Sequence, residues 1–226
     1  PPAMTLPLFD TEPVAPERLD EGALLLRGFA TAQAGQWIAE VQALQAVSPF
    51  RIMQVPSGKS MSVAVTSCGD WGWISDAGGY RYSAMDPQTG RPWPAMPAFL
   101  AVQARAAAQA AGYAGFVPDA CLVNRYRPGA KMGLHRDQDE ADFAAPIVSV
   151  SLGLGCTFLW GGLRRQDPVR RIALVHGDVL VWGGPTRLVY HGVGPLKDGS
   201  HHLLGNERWN LTFRMAKAGY PAVETL

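Results

Sequence analysis

Cysteine is scarce in this chain, net charge is close to zero, and long apolar runs are missing. Cys68, Cys121 and Cys156 are odd in number and widely spaced, with no Cys-x-x-Cys pair and no neighbouring base. This excludes a disulfide scaffold and gives nucleophilic thiol catalysis little support; reduced thiols in a cytoplasmic protein are expected. A formal charge of +1 and a pI near 8.2 exclude a strongly basic scaffold, so any nucleic-acid contact must come from a local patch. No apolar run approaches the length of a membrane span, and no charged start leads into a signal-like core; no membrane partner is expected.

What is present is enough apolar material to bury a core. With 226 residues, 47% hydrophobic and 17% charged, the chain reads as a single domain, 1–226, and as a monomer. Residues 1–16 are proline-rich and aperiodic, which predicts a loosely ordered arm. Ala23 to Arg27 reads as a short buried strand. Thr31 to Val47 carries Trp37, Ile38, Val41 and Leu44 at helical spacing, and the alanine-rich segment Pro97 to Gly112 predicts a second helix. Between them, residues 49–94 hold short β-prone pieces such as Met61 to Thr66, broken by glycines, with Trp71, Trp73, Tyr80 and Tyr82 clustered. This texture predicts a twisted hairpin flap.

After the second helix the pattern turns to strands. Ala120–Tyr126, Ile147–Leu152, Cys156–Trp160, Arg171–Val175, Asp178–Trp182, Leu188–Tyr190 and Arg208–Arg214 are short, β-rich and separated by glycine-containing turns. A mainly β chain with flanking helices follows, and seven such runs within 113–215 argue for a sandwich or jelly roll over a parallel doubly wound sheet.

Two stretches carry chemistry. In His135-Arg-Asp137-Gln-Asp139-Glu140 an extended backbone would point His135, Asp137 and Asp139 to one side. If His191 of Tyr190-His191-Gly192 arrives from another strand, two imidazoles and one carboxylate form a face that leaves the far side of a metal open, a geometry suited to non-haem Fe(II) and O2. A solvated polar loop fits the same letters. In Arg208-Trp-Asn-Leu-Thr-Phe-Arg214, Arg208, Asn210, Thr212 and Arg214 share one face and Trp209, Leu211 and Phe213 the other. Such a strand is either an outer one with its polar side in water or a binder of a buried dicarboxylate, for which arginine forks are natural partners. Asn124 and Tyr126 show the same one-sided spacing.

Taken in order, Asn124-Arg-Tyr126, Pro128-Gly-Ala, His135-Arg-Asp137-Gln-Asp139-Glu140, Trp182-Gly-Gly, Tyr190-His191-Gly192 and the Arg208–Arg214 strand resemble the AlkB family of Fe(II)- and 2-oxoglutarate-dependent dioxygenases. The similarity runs from about Pro49 to Arg214, and Met61-Ser-Val-Ala-Val-Thr with Asp86-Pro-Gln-Thr-Gly-Arg-Pro-Trp-Pro-Ala-Met-Pro97 is like the bacterial nucleic-acid demethylases of that family.

The resemblance implies a double-stranded β-helix, or jelly roll, with a nucleotide-recognition flap at 49–94 and a catalytic core at 113–215. It implies iron on His135, Asp137 and His191. It also implies 2-oxoglutarate on Asn124, Tyr126, Arg208, Asn210 and Arg214, with Arg208 on the distal carboxylate and Arg214 at the iron-chelating end. Trp73, Tyr80, Tyr82, Asp139 and Arg165 would contact the substrate nucleotide. The implied reaction uses Fe(II), O2 and 2-oxoglutarate, releases succinate, CO2 and formaldehyde, and restores bases such as 1-methyladenine and 3-methylcytosine. Alkylated single-stranded DNA is the expected partner, with double-stranded DNA and RNA as further candidates. A methyl on a pairing nitrogen lowers the cost of extruding the base, and an aromatic slot would favour a cationic base by ~1–2 kcal/mol. Lys131, Arg164 and Arg165 are candidates for phosphate contacts.

Other conspicuous residues have structural readings. His176 belongs to a turn, His201 and His202 to the surface, and Trp37, Trp93, Trp160, Trp182 and Trp209 to the core. Two rivals remain: an iron oxygenase acting on modified RNA or a protein side chain, and a non-enzymatic jelly-roll binding module. A zinc hydrolase would leave the Arg208–Arg214 face unexplained.

Overall fold

The computed structural model describes residues 15–220; most of the arm expected at 1–16 lies outside them. The chain begins with β1 (Glu17–Asp20), β2 (Ala23–Leu26) and α1 (Ala34–Val47), the last entered through a 3-10 turn at Thr31–Gln33. Then come β3 (Arg51–Gln54), β4 (Ser60–Gly69), β5 (Gly72–Asp76), β6 (Gly79–Ser83), β7 (Met85–Asp86), β8 (Arg91–Pro92) and α2 (Ala98–Ala110). The remainder is β9 (Ala120–Tyr126), β10 (Met132–His135), β11 (Ile147–Gly153), β12 (Cys156–Trp160), β13 (Arg170–Leu174), β14 (Val179–Trp182), β15 (His191–Val193) and β16 (Arg208–Arg214).

Eight strands form one antiparallel sheet in the order β1-β2-β14-β11-β16-β9-β4-β3, and four form a second in the order β10-β15-β12-β13. The non-consecutive neighbours are those of a jelly roll. β16 lies inside the large sheet, bonded to β11 on one side and β9 on the other, and all seven of its residues are buried. That position rules out the outer-strand reading of its polar face.

Alternation along β16 divides the interior in two. Trp209, Leu211 and Phe213 pack in one cluster with Trp37, Ile38, Val41 and Leu44 of α1 and with Leu100, Ala104 and Ala107 of α2. Trp37 meets Phe99 and Phe213 edge-on, with ring centroids 5.4 and 6.1 Å away; complete burial of such a side chain stabilises by ~1.5–3 kcal/mol. The second core fills the space between the sheets and includes Leu122, Tyr126, Ile147, Phe158, Trp160 and Trp182. Trp37, Trp93, Trp160, Trp182 and Trp209 are all buried, as expected.

Three expectations shift. The strand read at Leu188–Tyr190 forms instead at His191–Val193, because Val189 N–H closes a turn on the Thr186 carbonyl and the Arg187 side chain turns inward. Residues 49–94 are not one hairpin: β3 and β4 join the large sheet through β9, leaving β5–β6 and β7–β8 as separate two-stranded pieces. β1, not anticipated from sequence, pairs with β2.

One glycine matters for the site. A Cβ on Gly192 would lie 2.7 Å from the Met132 carbonyl oxygen, so only glycine allows β15 to approach β10 closely enough to place His191 opposite His135.

Candidate metal centre and the pocket beside it

His135 ends β10, and the backbone leaves the sheet before Asp137. The side chains of His135 and Asp137 nevertheless meet on one side, as expected of the pair. Arg187 holds the loop from inside, its Nη1 donating to the Asp137 carbonyl at 2.8 Å and its Nε to that of Ala145 at 3.0 Å.

The imidazoles are aimed by backbone. Nδ1 of His135 lies 2.9 Å from the Gly133 carbonyl, and Nδ1 of His191 lies 3.0 Å from that of Val189. Each Nδ1–H donates, which leaves both Nε2 lone pairs facing Asp137 Oδ1 at 3.7 and 3.8 Å. The other carboxylate oxygen, Oδ2, accepts from Arg214 Nε at 3.0 Å and Nη2 at 2.7 Å. Donor atoms of His135, Asp137 and His191 all lie within 4.8 Å of one another, the only such group among the described residues. Two neutral nitrogens and one anionic oxygen on one side of a point suit a ferrous ion with open positions.

Electrostatics keep His191 and Asp137 in their binding forms. Burial and the neighbouring His135 pull the His191 imidazole down to about 4, against the attraction of Asp137. Burial works to raise the Asp137 carboxyl, but Arg214 and the two imidazoles overcome it and hold Asp137 well below the ordinary carboxylate range. A metal ligand set needs this pairing of neutral imidazole and ionised carboxylate.

Behind the triad lies the polar face of β16. Arg208 is 1% exposed; its Nη2 donates to Ser151 Oγ at 3.0 Å and its guanidinium carbon lies 5.1 Å from the Tyr126 ring centroid. Its Nε and Nη1, and the Asn124 Oδ1, have no partner, and Arg208 forms no ion pair among the described residues. Asn124 donates to Asn210 Oδ1 at 3.2 Å, and Asn210 donates to Ser149 Oγ at 2.8 Å. A buried cation without a counter-charge costs several kcal/mol, so the Arg208 guanidinium calls for an anionic partner such as the carboxylate end of an acid. Arg214, assigned from resemblance to the iron-chelating end, is bonded to Asp137 here. A cavity of about 50 Å³ lined by Asn124, Tyr126, Asn210 and Arg214 opens beside a larger pocket of about 510 Å³.

That larger pocket gathers the expected substrate residues. Trp73 of β5 and Tyr80 of β6 are stacked, with centroids 5.6 Å apart and planes at 13°, and Trp73 Nε1–H donates to Asp139 Oδ2 at 2.8 Å. Arg165 reaches the Leu134 carbonyl at 2.8 Å. It shares the Tyr190 ring with Arg136, at 5.9 and 5.6 Å from the ring centroid. Tyr82 lines the pocket but its hydroxyl is committed to Glu140 Oε1 at 2.7 Å. Lys131 lines the same pocket, whereas Arg164 is paired with Asp167 at 2.9 Å.

The chain matches the 2OG-Fe(II) oxygenase superfamily over residues 22–214. It belongs to the AlkB family of that superfamily. It is 54% identical over 211 residues to the "Alpha-ketoglutarate-dependent dioxygenase AlkB" of Salmonella typhimurium, covering 93% of this chain and 98% of the relative. It is 55% identical over 207 residues to the protein of that name from Escherichia coli, covering 92% and 95%. Among solved structures, OsALKBH1 superposes with a TM-score of 0.79 at 29% identity, over 88% of this chain and 99% of that one. As an AlkB-family member the protein is an Fe(II)- and 2-oxoglutarate-dependent dioxygenase, and His135, Asp137 and His191 are the residues able to hold the metal.

Sequence reasoning missed Glu140, Arg187 and Tyr190 as parts of this site. Glu140 stood in an acidic run that reads as a solvated tip, and Arg187 in a presumed strand lead-in; only tertiary contacts reveal that both are buried.

Proposed function

We propose that this dioxygenase removes N-linked methyl groups from alkylated nucleobases, with 1-methyladenine and 3-methylcytosine as the preferred class. The observation that carries the reading is the pairing of an aromatic face, Trp73, with a carboxylate, Asp139, on the wall of the pocket that also contains His135 and Asp137. A ring methylated on a pairing nitrogen is cationic near neutrality; an aromatic face and a carboxylate are the two features that prefer it over an unmodified base. Entry of the base would exchange the Trp73–Asp139 bond for a contact between Asp139 and the base.

Iron bound with 2-oxoglutarate and O2 supplies the oxidation that releases the methyl group as formaldehyde, with succinate and CO2 as co-products. The protein's contribution is placement. His135, Asp137 and His191 would hold the metal. Arg208, with two unpartnered nitrogens, would take the far carboxylate of 2-oxoglutarate, and Asn124, Tyr126 and Asn210 would shape its slot. Arg214, bonded to Asp137, would also serve the near end of the cosubstrate. Arg165, Arg136 and Lys131, which line the larger pocket, would meet phosphates.

A single strand is the favoured form of substrate, because extrusion costs least there; the protein would act as a monomer, and three free thiols agree with the reducing cytoplasm. None of the helices in the described residues is long and apolar enough to cross a membrane. The test is formaldehyde release from a single-stranded oligonucleotide bearing 3-methylcytosine, with Fe(II), O2 and 2-oxoglutarate. No release from metal-loaded protein that turns over 2-oxoglutarate would overturn the substrate assignment.

A further inference from the structure

Trp73 and Tyr82 are cross-strand partners in the β5–β6 hairpin, and they grip two consecutive acids. Trp73 holds Asp139 at the pocket surface, whereas Tyr82 holds Glu140 beneath it. Glu140 is 2% exposed at its side chain and lies between two arginines: Oε2 accepts from Arg187 Nη2 at 3.0 Å, and Oε1 lies 3.4 Å from Arg214 Nε. Arg214 in turn is bonded to Asp137 Oδ2, and Arg187 to the Asp137 carbonyl. Asp137, Glu140, Arg187 and Arg214 thus form a buried quartet of balanced charge, and the Tyr82 hydroxyl is its connection to the hairpin.

We propose that Glu140 is a positioning residue that couples the β5–β6 hairpin over the nucleotide pocket to the carboxylate of the metal triad, through Tyr82 on one side and Arg214 on the other. The proposal rests on the demethylase reading for what the hairpin covers, but not for the coupling itself. The two grips differ in kind. Asp139 is partly exposed and its bond to Trp73 can be exchanged for a base, while the Tyr82–Glu140 bond is shielded and persists. Burial pushes the Tyr82 hydroxyl well above its ordinary value, so it remains a donor. A metal that fixes Asp137 also fixes the Asp137–Arg214 pair, hence Glu140, hence the inner strand of the hairpin. Conversely, a base that lifts Trp73 leaves the hairpin attached to the metal loop at its inner bond. Buried ionic networks of this sort have two discrete arrangements more readily than a graded response.

The test is hydrogen exchange at the amides of residues 72–83, with and without Mn(II) plus 2-oxoglutarate, in the wild-type protein and in Tyr82→Phe. Phenylalanine keeps the ring and its packing and removes only the bond to Glu140. Loading is expected to slow exchange in the wild type by about 10-fold, the scale of one hydrogen bond to a charged group. Tyr82→Phe, loaded to saturation, is expected to lose that protection and, because coupling is reciprocal, to bind Mn(II) plus 2-oxoglutarate up to about 10-fold more weakly. Protection that survives in Tyr82→Phe, or a wild-type hairpin indifferent to loading, overturns the coupling. In turnover with the 3-methylcytosine strand, Tyr82→Phe is expected to form succinate in excess of formaldehyde, and a balanced ratio counts against the proposal. Glu140→Gln removes the charge facing both arginines and should give the same phenotype more strongly; if it fails to fold, Tyr82→Phe alone decides. Because the exchange experiment contains no nucleic acid, a protein inert toward methylated strands but showing this protection pattern would refute the substrate assignment and leave the coupling standing.

Discussion

The protein carries two groups of converging imidazoles, and only one is built for a metal. In the first, His135 and His191 face Asp137 with ring centroids 4.4 Å apart. In the second, His176, His201 and His202 approach one another with centroids 4.3, 4.5 and 6.4 Å apart. Proximity is equal, yet the hydrogen bonds run in opposite senses. Nδ1 of His135 and His191 donates to carbonyls and frees Nε2. Nδ1 of His176 instead accepts from Gly153 N–H at 2.9 Å, and that of His201 lies 3.3 Å from Leu203 N–H. His176 and His201, when neutral, therefore keep their protons on Nε2, where a ligand would need a lone pair, and the group is not among the possible metal clusters of the described residues. Which way the backbone addresses Nδ1 separates a ligand from a brace.

The strongest way to break this contrast is to delete one imidazole from each group. His191→Ala should lower Mn(II) or Fe(II) affinity and formaldehyde release by at least about 100-fold, whereas His202→Ala should leave both unchanged; equal losses would make the second group a metal site after all. Next in size, Arg208→Ala should raise the half-saturating 2-oxoglutarate concentration by about 30- to 100-fold, the equivalent of ~2–3 kcal/mol for a charge-assisted pair, with little change for the oligonucleotide. Trp73→Ala should do the reverse, weakening oligonucleotide use about 10-fold through loss of ~1–2 kcal/mol of stacking. Equal effects of both variants on both substrates would show that the two pockets are not separable.

The smallest expected effect is a pH dependence. Burial, then His201 and His202, lower the His176 value from its ordinary 6.5. The unfolded chain thus takes up a proton before the folded one does. The stability from the neutral His176–Gly153 bond is complete above about pH 6.5 and is lost as pH falls through the lowered folded value. Urea melts of metal-free protein at about pH 7.5 and about pH 5.5 should show a drop that is smaller in His176→Gln. His191 shifts in the same direction, and the difference between wild type and variant removes its share. An identical drop in both proteins would deny His176 the bracing role.

Much of this was legible in the letters. Alternation along Arg208–Arg214 announces two faces, and the helical spacing of Trp37, Ile38, Val41 and Leu44 matches their burial under the large sheet. The His-x-Asp spacing pointed to side chains that do converge, while the Arg187 bond to the Asp137 carbonyl that holds their loop had no mark in the sequence. Glu140, Arg187 and the His176 group were not legible. Each acquires its role from partners 23 to 58 residues away, and an acidic letter among acidic letters carries no mark of being buried. The strand displaced to His191–Val193 was misplaced for a similar reason, because apolar Leu188 and Val189 satisfy the β pattern while their backbone is occupied by a turn.

β16 is loaded on both sides: its aromatic and leucine side chains pack against the helices, while its arginines and asparagine form the buried polar face proposed for the cosubstrate. Drift in the helical packing cannot accumulate without disturbing that face, so the proposed oxidising half of the protein is the half least free to vary. The β5–β6 hairpin carries no share of the helical packing. Its chief polar ties to the metal loop are those of Trp73 and Tyr82, and new nucleobase preferences in descendants of this chain would be recruited there, around a centre that stays the same.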